Sequence, residues 1–280
     1  MEKPSKGRLF LVGTPIGNLG DITLRALETL KTVDLIAAED TRQTQKLLTH
    51  YAIHQRTTSY FEHNKKQKGA ALLEELLQGK TIALVSDAGM PGISDPGSDL
   101  VQACLAREIP VTVIPGPSAL LTGLVASGLD TDSFVFAGFF PRVMKEKKAL
   151  LTELARERRT IVFYESPHRL GQTLADIGSA WGDRPCCVAR ELTKIYEEYQ
   201  RGTLSEVRQY FAQKTVKGEI TLMIAGCRDE GVLLSWEEIE SKAAALLESG
   251  LSKKEAAKTV AEACGVSRRE LYNRIVRTDK

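Results

Sequence analysis

The sequence TIALVSDAGMPGISDPG, from Thr81 to Gly97, combines a short apolar run with a loop of twelve residues that begins at Ser86. The run from Ile82 to Val85 is continuously apolar, which is typical of a strand covered on both faces in a parallel sheet. Ligands bind beyond the carboxyl ends of such strands. The stretch therefore predicts an α/β fold with a ligand site in this loop.

The loop itself is rich in glycine, proline and aspartate. Glycine reaches backbone conformations closed to other residues, and proline donates no backbone hydrogen bond, so the loop offers bare carbonyls and amides to a small molecule. Asp87 and Asp95 add acceptors. A surface turn would explain the same composition, although most connections are shorter, at about 4–6 residues.

Apolar runs alternate with helical patterns before residue 127, and this alternation predicts a sheet of mostly parallel strands. A second series of strands starts at Phe134, and a length of 280 residues suggests two domains at roughly 150 residues each. We predict two α/β domains with a cleft between them, residues 1–127 and 128–230, followed by a helical tail over residues 235–280.

The tail carries three capping boxes, in which Ser235, Ser252 and Ser267 each precede a glutamate by three residues. A short connection around Gly265 joins the last two helices in a helix-turn-helix pattern. Their predicted inner faces are Ala256, Ala257, Val260 and Ala261 against Leu271, Ile275 and Val276. The pattern favours nucleic-acid contact through Arg268, Arg269, Asn273, Arg274 and Arg277; the alternative is an appendage used for packing or dimerisation.

Charge and cysteine content restrict the partners and the compartment. With 38 basic and 36 acidic residues, the net charge of +2 leaves attraction to nucleic acid to local clusters, at residues 142–159 and 253–280. Such clusters are also found on merely solvated surfaces. Five cysteines without Cys-x-x-Cys spacing argue for a reducing compartment and against a zinc site, and no apolar run is long enough for a membrane span. We predict a soluble cytoplasmic protein without a metal.

Ionisable residues close several predicted strands. Residues 13–21 are rich in glycine but match neither the dinucleotide nor the nucleoside-triphosphate fingerprint. Ser118 is placed to cap a helix whose free amides face the predicted crevice. Charged groups follow at residues 39–42, 165–169 and 190–194, where they are either site residues or structural ion pairs. Together these features fit a group-transfer enzyme that acts on nucleic acid.

Six motifs in series resemble the ribosomal RNA small subunit methyltransferase I family, a branch of the tetrapyrrole methylase superfamily. They are PIGNLGDITLRAL, IAAEDTR, SDAGMPGISDPG, PGPSA, FYESPHR and ARELTK, and the similarity runs from about Leu9 to Arg277, tail included. The resemblance implies S-adenosylmethionine as methyl donor. It also implies a homodimer, and as acceptor the 2′-hydroxyl of a decoding-site cytidine in 16S ribosomal RNA, in the small ribosomal subunit.

The resemblance further implies which residues hold the donor, largely through backbone atoms. They are Pro15, Ser86, Asp87, Ala88, Gly89, Met90, Ser118, Ala119, Leu192 and Gly218. Two positions depart from the family pattern: Met90 replaces a threonine and Phe61 replaces a histidine. No role of that hydroxyl or that imidazole carries over to this chain.

A sulfonium makes the methyl group electrophilic, so the main task of such an enzyme is to align the ribose oxygen for in-line attack. The predicted bases that accept the hydroxyl proton are Glu165, Glu191 and Asp40, because each closes a strand at the cleft. We predict that Arg169, Arg190 and Lys194 hold RNA phosphate.

Two alternatives remain. The first is another methylase of the superfamily, acting on a corrinoid precursor or a diphthamide intermediate; the basic tail argues against it, since a small substrate needs no phosphate-binding arginines. The second is a DNA-binding regulator that reads duplex DNA with its tail and senses a ligand with its α/β part. That regulator would need a dimer with a fixed spacing between its recognition helices.

Overall fold

The structure is a computed structural model that describes residues 7–228, 236–264 and 266–277. The chain divides into two compact units, residues 1–225 and 226–280. The α/β domains predicted at residues 1–127 and 128–230 correspond to two successive sheets, and their bounds stay a prediction. Within the described ranges, no helix is both long enough and apolar enough to cross a membrane.

The first sheet has five parallel strands in the order β3-β2-β4-β1-β5. The strands are β1 Arg8–Val12, β2 Leu35–Ala38, β3 Thr57–Ser59, β4 Thr81–Val85 and β5 Val111–Ile114. Strand β4 lies at the centre with Ile82 paired to both Leu9 and Leu35. Its apolar side chains are covered on both faces, which confirms the reading of this run as a buried parallel strand.

Four helices cover the two faces of this sheet: α1 Leu24–Thr32, α2 Thr41–His50, α3 Lys65–Leu77 and α4 Ser98–Ala106. A fifth helix, α5 Ala119–Ala126, follows β5 in the chain. Capping side chains begin three of them, because Thr23, Asp40 and Ser118 each accept a hydrogen bond from a backbone amide of the first turn. The capping role predicted for Ser118 is thus present. It leaves the amide of Ala119 without an intrahelical partner.

The second sheet is mixed, in the order β6-β7-β10-β8-β9. Its strands are β6 Phe134–Phe139, β7 Thr160–Glu165, β8 Pro185–Arg190, β9 Glu198–Thr203 and β10 Ile220–Ile224, with helices α6 Met144–Glu153, α7 Leu170–Trp181 and α8 Leu204–Ala212. Only β6 and β7 run parallel, whereas the other neighbours are antiparallel. A capping box of Thr203 and Glu206 begins α8.

Sequence periodicity did not predict three elements of the two sheet-containing halves: β3, β9 and α6. Strand β3 has only three residues, and β9, with the sequence EYQRGT, has no buried residue, so neither shows an apolar pattern. Helix α6 falls inside the basic cluster 142–159 and has no fully buried side chain either. Short or exposed elements like these are held by neighbouring strands and helices rather than by their own pattern.

The two sheets are joined where α5 packs against the second sheet. Leu124 of α5 shares an apolar cluster with Val162 of β7 and Met223 of β10. A Cβ atom at Gly123 would lie 3.2 Å from Thr221 Cγ2 and 3.3 Å from Met223 Sδ, so glycine permits the close approach. This packing brings the loops after β4 and β5 next to the ends of β7 and β10.

The tail forms three helices, α9 Trp236–Glu248, α10 Lys253–Cys264 and α11 Arg268–Arg277. Ser252 and Glu255 form the predicted capping box, Ser267 accepts from the Glu270 amide, and Ser235 lies outside the described residues. The predicted inner face is buried with one exception, since Val276 is 39 % exposed. The prediction for Val276 was wrong because α11 turns Leu271 and Ile275 inward instead.

Candidate functional site

A cavity of about 380 Å³ lies where the two halves of the first unit meet. Nearly every residue predicted to hold the donor lines it; the exceptions are Pro15 and Ser86. The lining from the first half is Ile16, Glu39, residues 87–90 and 93–95, Ser118 and Ala119. The lining from the second half is Phe139, residues 164–167, Leu192 and residues 218–221.

Hydrogen bonds to the loop after β1 hold the loop after β4 in place. Thr14 and Gly89 exchange two backbone hydrogen bonds, of 2.9 and 3.0 Å, and the Thr14 hydroxyl donates to the Ser86 carbonyl at 3.2 Å. Gly89 has a φ of +77°, a conformation that other residues adopt only with strain. Ser86 is buried and acts from behind the cavity wall, which explains why it does not line the cavity.

The loops after β1 and β5 touch through their backbones. A Cβ atom at Gly116 would lie 2.9 Å from the Cα and carbonyl carbon of Gly13, and one at Gly13 would lie 2.7 Å from the Sδ atom of Met90. The thioether of Met90 therefore packs on Gly13. Met90, which stands where the family pattern has threonine, thus forms part of the cavity wall. Phe61, the other departure, does not line the cavity.

Three carboxyl groups line the cavity at the end of the first sheet: Glu39, Asp87 and Asp95. Burial is the first cause that raises the pKa of each, and repulsion from Asp95 adds to it for Glu39. Asp87 is held in place, since its side chain accepts from the Asp40 amide at 2.9 Å and its own amide donates to Glu39 at 3.4 Å. Among the described residues, no lysine or arginine lines this cavity.

The three predicted bases have partners in the structure. Glu165 lines the cavity, but its carboxylate accepts from the Thr173 hydroxyl at 2.6 Å and the Ser166 amide at 2.7 Å, and pairs with Arg169 at 3.3 Å. Glu191 pairs with Lys194 at 2.8 Å, and this hydrogen bond lowers its pKa. Contacts with Arg42 lower the pKa of Asp40 to about 2. Neither Glu191 nor Asp40 lines the cavity, and a lowered pKa weakens a base.

The predicted phosphate-binding residues of the first unit are also engaged. Arg169 donates to the carbonyls of Phe140 and Pro141 as well as pairing with Glu165. Arg190 pairs with Glu198 on the neighbouring strand rather than with the adjacent Glu191. The Lys194 ammonium lies between Glu191 and Glu219.

In the tail, the predicted RNA-binding arginines differ in their surroundings. Arg268 and Arg269 are exposed at the start of α11. The Arg274 guanidinium lies 4.1 Å from the centre of the Trp236 ring and 3.2 Å from Glu240, so it joins α11 to α9. The side chain of Arg277 lies outside the described residues.

Sequence reasoning missed most of the lining that comes from the second half. Phe139, Tyr164, Glu219 and Thr221 lie on or next to strands whose ends meet the cavity only through the order of the mixed sheet. The sequence did show one of their motifs, since FYESPHR contains Tyr164. The neighbouring residues, however, do not determine on which face of the sheet each side chain lies. The described residues contain no group of three or more histidine, cysteine, aspartate and glutamate side chains placed to hold a metal ion.

Comparisons with known proteins place these features in a family context. The sequence model of the Tetrapyrrole (Corrin/Porphyrin) Methylases matches residues 8–208, and that of the RsmI C-terminal HTH domain matches residues 235–278. Two relatives are both called Ribosomal RNA small subunit methyltransferase I. The one from Synechocystis sp. is 50 % identical to this chain over 95 % of this chain and 96 % of its own length. The one from Halalkalibacterium halodurans is 48 % identical over 97 % of this chain and 96 % of its own length.

Solved structures agree with the fold of the first unit. The uroporphyrin-III C-methyl transferase from Thermus thermophilus complexed with S-adenyl homocysteine superimposes with a TM-score of 0.57 at 18 % identity. The match covers 78 % of this chain and 97 % of that chain. At this identity, the likeness concerns the fold.

Proposed function

The chain belongs to the ribosomal RNA small subunit methyltransferase I family of the tetrapyrrole methylases, and we propose that it methylates the 2′-hydroxyl of a decoding-site cytidine in 16S ribosomal RNA. It is a methyltransferase that uses S-adenosylmethionine and acts on ribosomal RNA. The observation that carries the proposal is near full-length identity of about half to named relatives in a chain that also holds the predicted cavity. The corrinoid and regulator alternatives have no comparable support.

The chemistry of the cavity fits the donor. S-adenosylmethionine, when bound, supplies a methyl carbon made electrophilic by a positively charged sulfur. The carboxyl groups of Glu39, Asp87 and Asp95 give the lining negative charge, and burial strengthens their attraction for a cation. The unpartnered amide of Ala119 at the start of α5 offers a donor to a carboxylate. Asp87–Met90, Ser118, Ala119, Leu192 and Gly218 are the residues we propose for the donor, with Pro15 and Ser86 supporting them from behind.

The same cavity holds carboxylates suited to accept the hydroxyl proton. A base works best when its pKa lies near the working pH, so a raised pKa favours proton acceptance and a lowered one disfavours it. Asp95, Glu39 and Asp87 meet this condition better than Asp40 or Glu191. Among the predicted bases, Glu165 is the one at the cavity wall, and we retain it as a residue that positions the end of β7 through Arg169 and Thr173.

The direct test uses cells with and without the gene for this protein. We expect 16S ribosomal RNA from the deletion strain to lack one ribose methyl group on a cytidine, and purified enzyme with S-adenosylmethionine to restore it on isolated small subunits. Mass spectrometry of nuclease fragments locates the group. Full methylation of this cytidine in the deletion strain would overturn the proposal. If the purified enzyme methylated naked 16S ribosomal RNA but not small subunits, the proposed reaction would stand and the substrate would be the naked RNA.

A second prediction concerns pH and the buried charge of Asp95. As the pH falls from neutral, groups with raised pKa values protonate before ordinary carboxyls of pKa about 4 do, so donor affinity should begin to fall above that range. Asp95→Asn should reduce donor affinity at neutral pH by roughly tenfold, or about 1.4 kcal/mol, and flatten this profile.

The same substitution should stabilise the donor-free protein at neutral pH. A group whose pKa is raised on folding contributes stability below its unfolded pKa and loses it as the pH rises through the folded value. Asparagine does not ionise, so it keeps that stability. Calorimetry of donor binding and thermal unfolding measure the two effects, and a variant that binds the donor as the wild type does from acid to neutral pH would refute the charge argument.

We propose a homodimer that acts in the cytoplasm, where its ribosomal substrate is assembled. Apolar side chains are exposed on neighbouring elements at the edge of the first sheet, namely Leu105 on α4, Val113 on β5, and Leu121 and Val125 on α5. Exposed apolar side chains on three consecutive elements favour a protein contact. Sedimentation equilibrium tests this proposal, and a monomer at micromolar concentration would contradict it.

A further inference from the structure

Phe139 is an exposed aromatic residue on the wall of the donor cavity. Its side chain is 59 % exposed although it belongs to strand β6 and lines the cavity together with Tyr164. The Phe139 ring centre lies 5.7 Å from that of Tyr164, at an interplanar angle of 62°. Its outer surface therefore stays uncovered at the cavity.

A β-bulge puts Phe139 on this face of the sheet. In the pairing of β6 with β7, Phe136 lies opposite Val162 and Phe139 lies opposite Tyr164, so two residues of β6 stand against one of β7. Gly138, with a φ of +68°, occupies the bulge. In a regular strand without the bulge, residues 137, 138 and 139 would alternate between the faces, and Phe139 would share the core face of Ala137, where Phe140 is now buried. Bulges occur next to active sites, where they re-aim a side chain.

The support behind Phe139 is rigid. Tyr164 is held between the Phe136 and Phe139 rings, with the Phe136 ring centre 4.9 Å away. An aromatic platform held this firmly loses little conformational freedom when a ligand stacks on it.

Basic residues follow Phe139 directly in the chain. Arg142 and Lys145 are exposed at the start of the cluster 142–159, within about 20 Å of extended chain from Phe139. Lys147 and Arg159 of the same cluster pair with Asp176 and Glu157, whereas Lys148, Arg156 and Arg158 are exposed farther along the cluster. Positive charge next to an uncovered aromatic ring is the combination that proteins use to bind single-stranded nucleic acid, with bases on the ring and phosphates on the cations.

From these observations we propose that Phe139 is the acceptor-binding residue on which the base of the target nucleotide stacks when its ribose enters the cavity. The inference rests on the proposed function, since it requires an RNA acceptor. A ribose oxygen inside a folded RNA becomes accessible when the nucleotide is turned out of its stack, and an aromatic surface at the cavity then replaces the lost stacking. The ring orients the ribose indirectly, by holding the attached base.

The test compares Phe139→Ala with Phe139→Tyr and with a matched control, Phe61→Ala. Phe61 is also a partly exposed phenylalanine, 36 % exposed, but it does not line the cavity. The substrate is the small ribosomal subunit from cells that lack the enzyme, with radioactive S-adenosylmethionine as donor. We expect Phe139→Ala to lower kcat/KM for subunits between about fivefold and 100-fold, the range for loss of one base–aromatic stack. Phe139→Tyr should restore most of that loss, and Phe61→Ala should lose none.

Calorimetry with S-adenosylmethionine alone and thermal unfolding give two further readouts. Donor affinity of Phe139→Ala should match that of the wild type, because the exposed face of the ring is the face we propose for the acceptor. The Tm should fall only slightly, since the variant loses one ring contact, with Tyr164. A loss of donor affinity would show that Phe139 binds the donor rather than the acceptor, and it would overturn the proposal. A Phe139→Ala variant with the wild-type kcat/KM for subunits would overturn it as well. Failure of the wild-type enzyme to methylate subunits would instead contradict the proposed function.

Discussion

Deleting residues 235–280 is expected to weaken binding to small ribosomal subunits by roughly 100-fold at moderate salt while donor affinity stays unchanged. Loss of two phosphate contacts, at about 1.5 kcal/mol each, accounts for a factor of this size. Among the described residues, those that line the cavity lie between Ile16 and Thr221, so the truncation removes none of them. Filter binding of subunits across a salt series, together with calorimetry of S-adenosylmethionine, measures both effects.

The surroundings of the tail arginines supply a sharper comparison. Arg268 and Arg269 are exposed, so their double replacement by alanine should reduce the salt slope of subunit binding by about 1.4–1.8 without changing Tm. Arg274 stacks on Trp236 and pairs with Glu240, so Arg274→Ala should lower the stability of the tail as well. Equal salt slopes for full-length and truncated enzyme would assign RNA binding to the cluster 142–159 and leave the tail with a structural role.

Gly116→Val is expected to abolish measurable donor binding and to lower stability by about 1–3 kcal/mol, the usual cost of overpacking. The added carbon would lie 2.9 Å from the backbone of Gly13, and neither backbone can yield as a flexible side chain would. The two loops must then separate, and Ser118 and Ala119, which follow Gly116 directly, line the cavity. A larger residue at position 116 would therefore act by separating two protein loops.

Two other glycine variants distinguish the steric overlap at Gly116 from backbone strain. At Gly89 an added carbon meets only ordinary contacts, the nearest at 3.5 Å. Gly89→Ala should therefore lower the free energy of unfolding only by the strain of a φ of +77°, about 1–2 kcal/mol. Gly171 lies in α7 with nothing within 4 Å of an added carbon, so Gly171→Ala should be neutral or slightly stabilising. The expected order of damage is therefore Gly116, then Gly89, then Gly171. Thermal unfolding and donor calorimetry give the ranking, and a Gly116 variant as stable as Gly171→Ala would contradict the packing argument.

Local sequence was sufficient for much of the fold. The apolar run before Ser86 and the glycine-rich loop after it predicted a buried parallel strand and a ligand loop, because both signals arise within a few residues of chain. Capping residues placed helix starts at Ser118, Ser252 and Ser267 for the same reason. The six motifs implied the methyl donor and the substrate class, and the relatives confirm that reading.

Tertiary structure alone decided which of these residues face one another. The partner of Arg190 is Glu198 on a strand with no apolar pattern, and Glu165 is occupied by Thr173 and Arg169 from the next helix. The bulge that aims Phe139 at the cavity depends on strand pairing, and burial raises the pKa of Asp95 only after the loop has packed. Propensity and periodicity act over a few neighbouring residues. Side-chain direction, ion-pair choice and desolvation depend instead on segments far apart in the chain, and they are settled when the two sheets pack together.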